Sequence, residues 1–323
     1  MALEHRVVET NGIRLHCAVD GAGPLVLFLH GFPECWYSWR HQLAALAPHF
    51  RVMAPDLRGY NESDKPAGVK AYAMPELVAD VAGLIAAEGR NEAIIVAHDW
   101  GGGIAWNFAM ERPEMTKRLV VMNCPHVAIF QQHLRNNPQQ LAKSWYMFFF
   151  QIPWLPETLL GANRAWAIAN GVRQSTIQRG AITEDDLRVL REAASRPGAL
   201  RSALNYYRAA FRSDDAVAGM APIVRRFFYG DRPVAPPRER LEDWPKITAP
   251  TMLVWGEQDV ALRKELTYGM EPLFTAPPRI EYVPDSGHFV QQEKPELVNA
   301  LLLDFLGDLI ARPADGTSAP PPA

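Results

Sequence analysis

The segment Ala93-Ile94-Ile95-Val96-Ala97-His98-Asp99-Trp100-Gly101-Gly102-Gly103 constrains this chain more than any other. An apolar, largely β-branched run breaks off at His98-Asp99-Trp100. Three glycines follow, and Ile104-Ala105-Trp106-Asn107-Phe108 continues with helical character. The reading is a strand, a very tight turn and a helix. Small residues at Ala97, Gly101 and Gly102 flank the turn, where the backbones must nearly touch. A turn this sharp holds one side chain, that of Asp99, out beyond the end of a sheet.

The surrounding pattern says what kind of sheet. Leu25 to Leu29 is a continuous apolar run, as expected of a strand buried on both faces. Arg51-Val52-Met53-Ala54-Pro55 is the next strand, and Arg118 to Asn123 follows the Asp99 turn. A helical pattern of Leu77, Val78, Val81, Leu84 and Ile85 lies between strands. Residues 25–123 therefore alternate strand and helix, which predicts a mainly parallel sheet. Ahead of them, Arg6-Val7-Val8-Glu9 and Ile13-Arg14-Leu15-His16 flank Asn11-Gly12, a hairpin signal. The pattern then changes. Residues 126–245 carry no strand series and read as helical around 138–150, 184–195 and 198–212. Strands resume at Thr251-Met252-Leu253-Val254-Trp255 and Arg279-Ile280-Glu281-Tyr282-Val283, with a last amphipathic helix at about 295–311. The expected organisation is a core of residues 1–125 and 246–311, a helical cap of 126–245 inserted over the carboxyl end of the sheet, and a Pro/Ala-rich disordered tail of 312–323.

Composition narrows the function. With 33 Lys and Arg against 36 Asp and Glu, the chain has no basic excess for nucleic acid. No apolar stretch approaches the ~20 residues of a membrane span, and Met1 to Arg6 lacks a signal-peptide core. Three cysteines, Cys17, Cys35 and Cys124, have no metal spacing and read as free thiols in a reducing, cytoplasmic setting.

Two resumed strands end on chemistry-bearing residues. Asp259 stands just beyond Val254-Trp255-Gly256, and His288 stands in the loop after Val283. Ligands of open α/β sheets bind outside the carboxyl ends of strands, so Asp99, Asp259 and His288 are expected to converge there. The order nucleophile, acid, histidine is that of the α/β hydrolases, whose nucleophile sits on such a strained elbow. Any one of these residues alone would read as structural. Together they read as a hydrolytic set.

The chain resembles an α/β hydrolase over about residues 5–310, and within that superfamily it is similar to the epoxide hydrolases of the soluble type with a helical cap. The resemblance rests on His30-Gly31-Phe32-Pro33-Glu34, His98-Asp99-Trp100-Gly101-Gly102, Trp145-Tyr146 with Phe150-Gln151, and Asn205-Tyr206-Tyr207-Arg208. It implies that Asp99 opens an epoxide to a covalent ester, and that His288, oriented by Asp259, activates water to release a vicinal diol. It implies backbone N–H donors at Phe32 and Trp100, and acids to the ring oxygen at Tyr146 and Tyr207. These four residues would also line the substrate site, with no metal and no cofactor. Leu200, Leu204, Tyr207 and Phe211 share one helical stripe, which favours Tyr207 over Tyr206, although Tyr206 stays the main rival for one place. The implied partners are a small apolar epoxide and water, for a monomer or homodimer with no nucleic acid and no membrane span.

Other residues read as structural: His30 and His98 as hydrogen-bonding supports, Asp56 and Asp64 as turn or capping residues. Trp36, Trp39, Trp106, Phe148, Phe149 and Trp154 read mostly as core or cap packing, and Glu34 carries no assigned chemistry. A haloalkane dehalogenase is the nearest rival, since Trp100 follows the nucleophile in that family too. Phe32 stands, however, where those enzymes typically carry Asn. A fluoroacetate-type dehalogenase would have Arg in place of Trp100, and an esterase would have Ser in place of Asp99. The rival from another class is a ligand-binding receptor on a hydrolase fold, which loss of a member of the set would have favoured.

Overall fold

The computed structural model describes residues 3–213, 238 and 240–310. Residues 214–237 of the expected cap and the expected tail of 312–323 lie outside them. Eight strands form one sheet: β1 (Glu4–Thr10), β2 (Ile13–Asp20), β3 (Leu25–Leu29), β4 (Arg51–Pro55), β5 (Ala93–His98), β6 (Thr116–Met122), β7 (Thr251–Gly256) and β8 (Arg279–Val283). Their spatial order is β1-β2-β4-β3-β5-β6-β7-β8. The first two pairings are antiparallel and every later one is parallel. The β1–β2 turn uses Asn11 and Gly12 at φ 47° and 72°, both in the left-handed region that a two-residue hairpin turn demands.

The continuous apolar runs have a direct cause. Alternate residues of β3, β5, β6 and β7 serve two separate cores. Leu27, Leu29, Ile95, Ala97, Val121 and Leu253 pack toward α2 (Met74–Ala87) and α3 (Trp100–Glu111). Val26, Phe28, Ile94, Val96, Val120 and Val254 pack toward α1 (Arg40–Leu46) and the helix Pro295–Phe305. A strand covered on both faces needs no polar side, so the period-two alternation vanishes. Truncating one such Leu or Ile to Ala costs about 2–5 kcal/mol.

Among the described residues, only helices and turns lie between β6 and Leu241. They are α4 (Val127–Asn136), α5 (Pro138–Lys143), α6 (Trp145–Phe149), α7 (Leu155–Ser175), α8 (Glu184–Ser195) and α9 (Ala199–Phe211). Helix α7 leaves helical geometry at Ala162–Ala165. Helix α9 is moored to the sheet side: Tyr72 donates to Ser202 at 2.7 Å, and Tyr206 donates to the carbonyl of Arg58 at 2.7 Å. The order in which strands are added to the sheet reverses between β3 and β5, where β3 is flanked by β4 on one side and by the parallel strand β5 on the other. The loops after β3 and β5 thus face each other across a crevice.

Candidate active site

Asp99 sits at that crevice, between β5 and α3, with φ 47° and ψ −121°. This is a costly conformation for a residue with a Cβ, and it persists only because its surroundings enforce it. The neighbours that permit it are glycines. A Cβ on Gly31 would stand 2.4 Å from Cβ of Asp99, and one on Gly101 would stand 2.1 Å from the carbonyl oxygen of Leu29. The side chain of Asp99 keeps 16% of its surface exposed while that of Asp259 is fully covered.

The two carboxylate oxygens of Asp99 have different surroundings. Oδ1 accepts a hydrogen bond from the Phe32 N–H at 2.7 Å. Oδ2 faces Nε2 of His288 at 3.6 Å. Trp100 is the first residue of α3, where a backbone N–H has no partner within the helix. The Phe32-Pro33 peptide bond is cis.

His288 is held from its other side. Its Nδ1 donates to Oδ2 of Asp259 at 2.6 Å. Asp259 is fixed in turn by the N–H groups of Ala261 and Leu262 at 2.8 and 2.9 Å and by Nδ2 of Asn123 at 2.8 Å. Burial pulls the His288 pKa down, but the charges of Asp259 and Asp99 outweigh it and hold the imidazole well above its ordinary value. Burial likewise opposes the ionised form of both carboxylates. His288 outweighs it at each, so Asp99 and Asp259 titrate below the usual carboxylate range.

An aromatic box closes over Asp99. Tyr207 packs edge-on against Trp100 at 4.9 Å, Phe150 at 4.9 Å and Phe32 at 5.6 Å between ring centres. Tyr146 stands 6.0 Å from Tyr207. Burial, then the charge of Asp99, pushes both phenols above their ordinary pKa, so both stay protonated. Arg208 sets the spacing of the two helices that carry them. From α9 it donates to the carbonyls of Phe150 and Ile152, both at 2.9 Å, and pairs with Glu157.

The structure thus brings together Asp99, Asp259, His288, Phe32, Trp100, Tyr146 and Tyr207. Tyr206 points elsewhere, toward Arg58, but it is as deeply buried as Tyr207. Both flanks of α9 are covered, so the single stripe read from its sequence understates its packing. Three supports carried no sequence signal for their partners. Asn123, at φ 40°, exchanges hydrogen bonds with both backbone groups of Gly256 as well as reaching Asp259. Glu34 accepts from the Gly31 N–H, Gln291, Gln292 and His98. His98 also donates to the carbonyl of His288 at 2.8 Å, so both its ring nitrogens serve acceptors. Asp56 is more than a turn residue: fully buried, it holds the Trp36 N–H, Asn61 and His16. Phe148 and Trp154 are 48% and 72% exposed, so neither is core.

Among the described residues, no group of three or more His, Cys, Asp or Glu side chains is placed to hold a metal ion. Among them too, no helix is long and apolar enough to cross a membrane.

An acidic strained turn over a mostly parallel sheet, with a histidine–carboxylate pair from later strand ends, defines the hydrolase class. A family model described as the alpha/beta hydrolase fold matches residues 24–295. The chain is 36% identical over 307 residues to Epoxide hydrolase 3 of Mus musculus, covering 94% of this chain and 76% of that one. It is 34% identical to Epoxide hydrolase 1 of Caenorhabditis elegans, covering 94% and 70%. Among solved structures it is similar to a Bacillus megaterium epoxide hydrolase in complex with an inhibitor, with TM-score 0.79, 31% identity, and 94% and 100% of the two chains covered. An epoxide hydrolase from Vigna radiata superposes with TM-score 0.74 at 28% identity, covering 95% and 98%. The chain belongs to the alpha/beta hydrolase fold family and, within it, to the epoxide hydrolases.

Proposed function

We propose that this epoxide hydrolase converts epoxides to vicinal diols through a covalent ester on Asp99. The observation that carries the reading is the division of labour at that carboxylate. Oδ1 is bonded to Phe32, and Oδ2 faces His288 without being locked to it. Oδ2 attacks a ring carbon of the epoxide, and the ring C–O bond breaks. The departing oxygen takes a proton from Tyr146 or Tyr207, phenols that burial keeps neutral.

Ester formation changes the electrostatics of the next step. It removes one of the two carboxylate charges that hold the proton on His288, so the imidazole pKa falls when a base is needed. The proton released restores the tyrosine. Neutral His288, aligned by Asp259, takes a proton from water as the water oxygen bonds to Cγ of Asp99. The oxyanion forms at Oδ1, facing the N–H groups of Phe32 and Trp100. Collapse breaks the Cγ–Oδ2 bond, and the leaving alkoxide takes the proton from His288. The second water proton leaves the new carboxyl group and ends on His288, restoring the starting pair.

In this reading residues 126–245 act as a cap that supplies both acids, and the aromatic box selects a small apolar epoxide. The three cysteines are free thiols, which suits a reducing, cytoplasmic setting. The decisive experiment is a single turnover in ¹⁸O-labelled water. Oδ2 leaves with the product, so the first diol is unlabelled and Asp99 gains the label. A labelled first diol would mean direct attack by water and would overturn the ester mechanism. Chloride release from chlorinated alkanes without epoxide turnover would favour a dehalogenase instead.

A further inference from the structure

Helix α5 is turned the wrong way round for a helix held by apolar contact. Leu141 is 41% exposed, while Gln140 and Ser144, the residue just before α6, are fully buried. A buried amide is tolerated when its donors and acceptor are all used, and those of Gln140 are. Its Nε2 donates to the carbonyl of Ala261 at 3.0 Å and to the Ser144 hydroxyl at 3.1 Å. Its Oε1 accepts from the Arg263 N–H at 3.2 Å. The opposite orientation of the amide would set donor against donor at Arg263 and acceptor against acceptor at Ala261. Lys143, on the same face one turn on, donates to the carbonyls of Val260 at 2.8 Å and Asp259 at 3.4 Å.

The loop that α5 grips is the one that holds the catalytic acid. Oδ1 of Asp259 accepts from the N–H groups of Ala261 and Leu262. The Ala261 carbonyl and the Leu262 N–H belong to one planar peptide unit, so fixing one end aims the other. At its far side Gln140 holds Ser144, and Tyr146 lies two residues further along, on α6. We propose that Gln140 is a positioning residue for both half-reactions, one amide tying the loop that aims Asp259 at His288 to the start of the helix that carries Tyr146. Lys143 reinforces the loop side alone. The acid of the ring-opening step and the carboxylate of the hydrolytic step are thereby set relative to each other by a single side chain.

The arrangement has a titration signature. Asp259, Asp99 and His98 face His288, the His98 ring at 4.8 Å. Esterified Asp99 carries no charge, so Asp259 is then the carboxylate that holds the His288 proton against burial. A loosened Asp259 loop weakens that hold. Ester decay needs neutral His288, so the midpoint of its pH profile moves to lower pH.

The inference rests on the ester mechanism above, and one experiment tells their failures apart. Rapid-quench mass spectrometry follows formation and decay of the Asp99 ester across pH in the wild type, Gln140→Met, Lys143→Met and Tyr206→Phe, with thermal unfolding of each. Gln140→Met keeps the volume and removes all three bonds. Tyr206→Phe is the control, losing a buried bond to Arg58 that involves neither the Asp259 loop nor α6. In Gln140→Met both steps are expected to slow about tenfold, the equivalent of one lost hydrogen bond, with the decay midpoint lowered. Lys143→Met should slow decay alone and lower the same midpoint, and Tyr206→Phe should lose stability with both rates and the midpoint unchanged. Lost stability in Gln140→Met with wild-type rates would make the residue structural and overturn the inference. Slowing of one step alone, or of both with an unmoved midpoint, would overturn it too, because Gln140 would then not join the two. If Gln140→Met does not fold, Lys143→Met decides, and unchanged decay there overturns the inference. Absence of any ester in the wild type would instead sink the ester mechanism, and with it the steps that Gln140 joins.

Discussion

His288 and Asp99 face each other at 3.6 Å, near enough to share charge and too far to lock together. The same imidazole is bonded at 2.6 Å to Asp259. One contact is tight and orienting. The other is looser, and it falls on Oδ2, the oxygen proposed above to attack the epoxide.

From this asymmetry, His288→Ala should still form the ester and fail to hydrolyse it. Intact-mass measurement should show the protein heavier by one epoxide after incubation with substrate. Asp259→Asn should act on the same step, since an amide no longer stabilises the imidazolium. Hydrolysis should fall by about 10²–10⁴-fold. An unmodified His288→Ala protein would refute the assignment.

The two phenols should act on the first step. Tyr207→Phe or Tyr146→Phe should slow ester formation by about tenfold or more and leave ester decay much less affected. Stopped-flow tracking of the two phases separates these effects. Tyr206→Phe is the contrast. It loses the hydrogen bond to Arg58 and should cost about 1 kcal/mol of stability, with ester formation near wild type. Equal loss in Tyr206→Phe and Tyr207→Phe would remove the distinction between the two residues.

Asn123 links the β6 end to both Asp259 and Gly256. Asn123→Ala should lower stability by about 1–3 kcal/mol, since it frees buried groups at both partners. It should also reduce ester decay more than ester formation. Urea unfolding and the same two-phase kinetics test the pair of effects, and a stability loss with unchanged decay would leave Asn123 purely structural.

Stability should respond to pH in two opposite limbs. His288 binds its proton more tightly in the folded protein, so its contribution is complete below its unfolded pKa of about 6.5. That contribution fades as pH rises through the higher folded value. Asp99 and Asp259 are depressed, so theirs is complete above about pH 4 and fades as pH falls through the folded values. Urea unfolding from acid to alkaline pH should show both limbs, and His288→Gln should flatten the alkaline one. An identical alkaline slope in the variant would contradict the assignment.

Much of the fold was readable because it depends on local pattern. The doubly covered strands are apolar throughout, and the Asp99 turn is spelled by its glycines. Asp259 and His288 were found because strand ends are where such a sheet presents side chains. The supports were harder to see. Glu34 meets Gln291 and Gln292 more than 250 residues away in sequence, and nothing local to Glu34 marks that contact. The tyrosine stripe on α9 was visible, but the packing on its other flank depends on the loop after β4. Phe148 packs edge-on against Phe211 within the cap while Trp154 is largely exposed, a difference the sequence does not carry because an aromatic side chain looks the same whether it is covered or not.

Tyr206 and Tyr207 are adjacent on α9, yet one is tied to the Arg58 carbonyl and the other stands over Asp99. The bond at Tyr206 therefore acts as a rotational index for the helix. A turn of α9 by one residue, about 100°, would carry Tyr207 away from Asp99, and it would have to break the Arg58 contact first. The angular position of Tyr207 is thus referenced to the sheet side through Tyr206, while Arg208 sets its distance from α6.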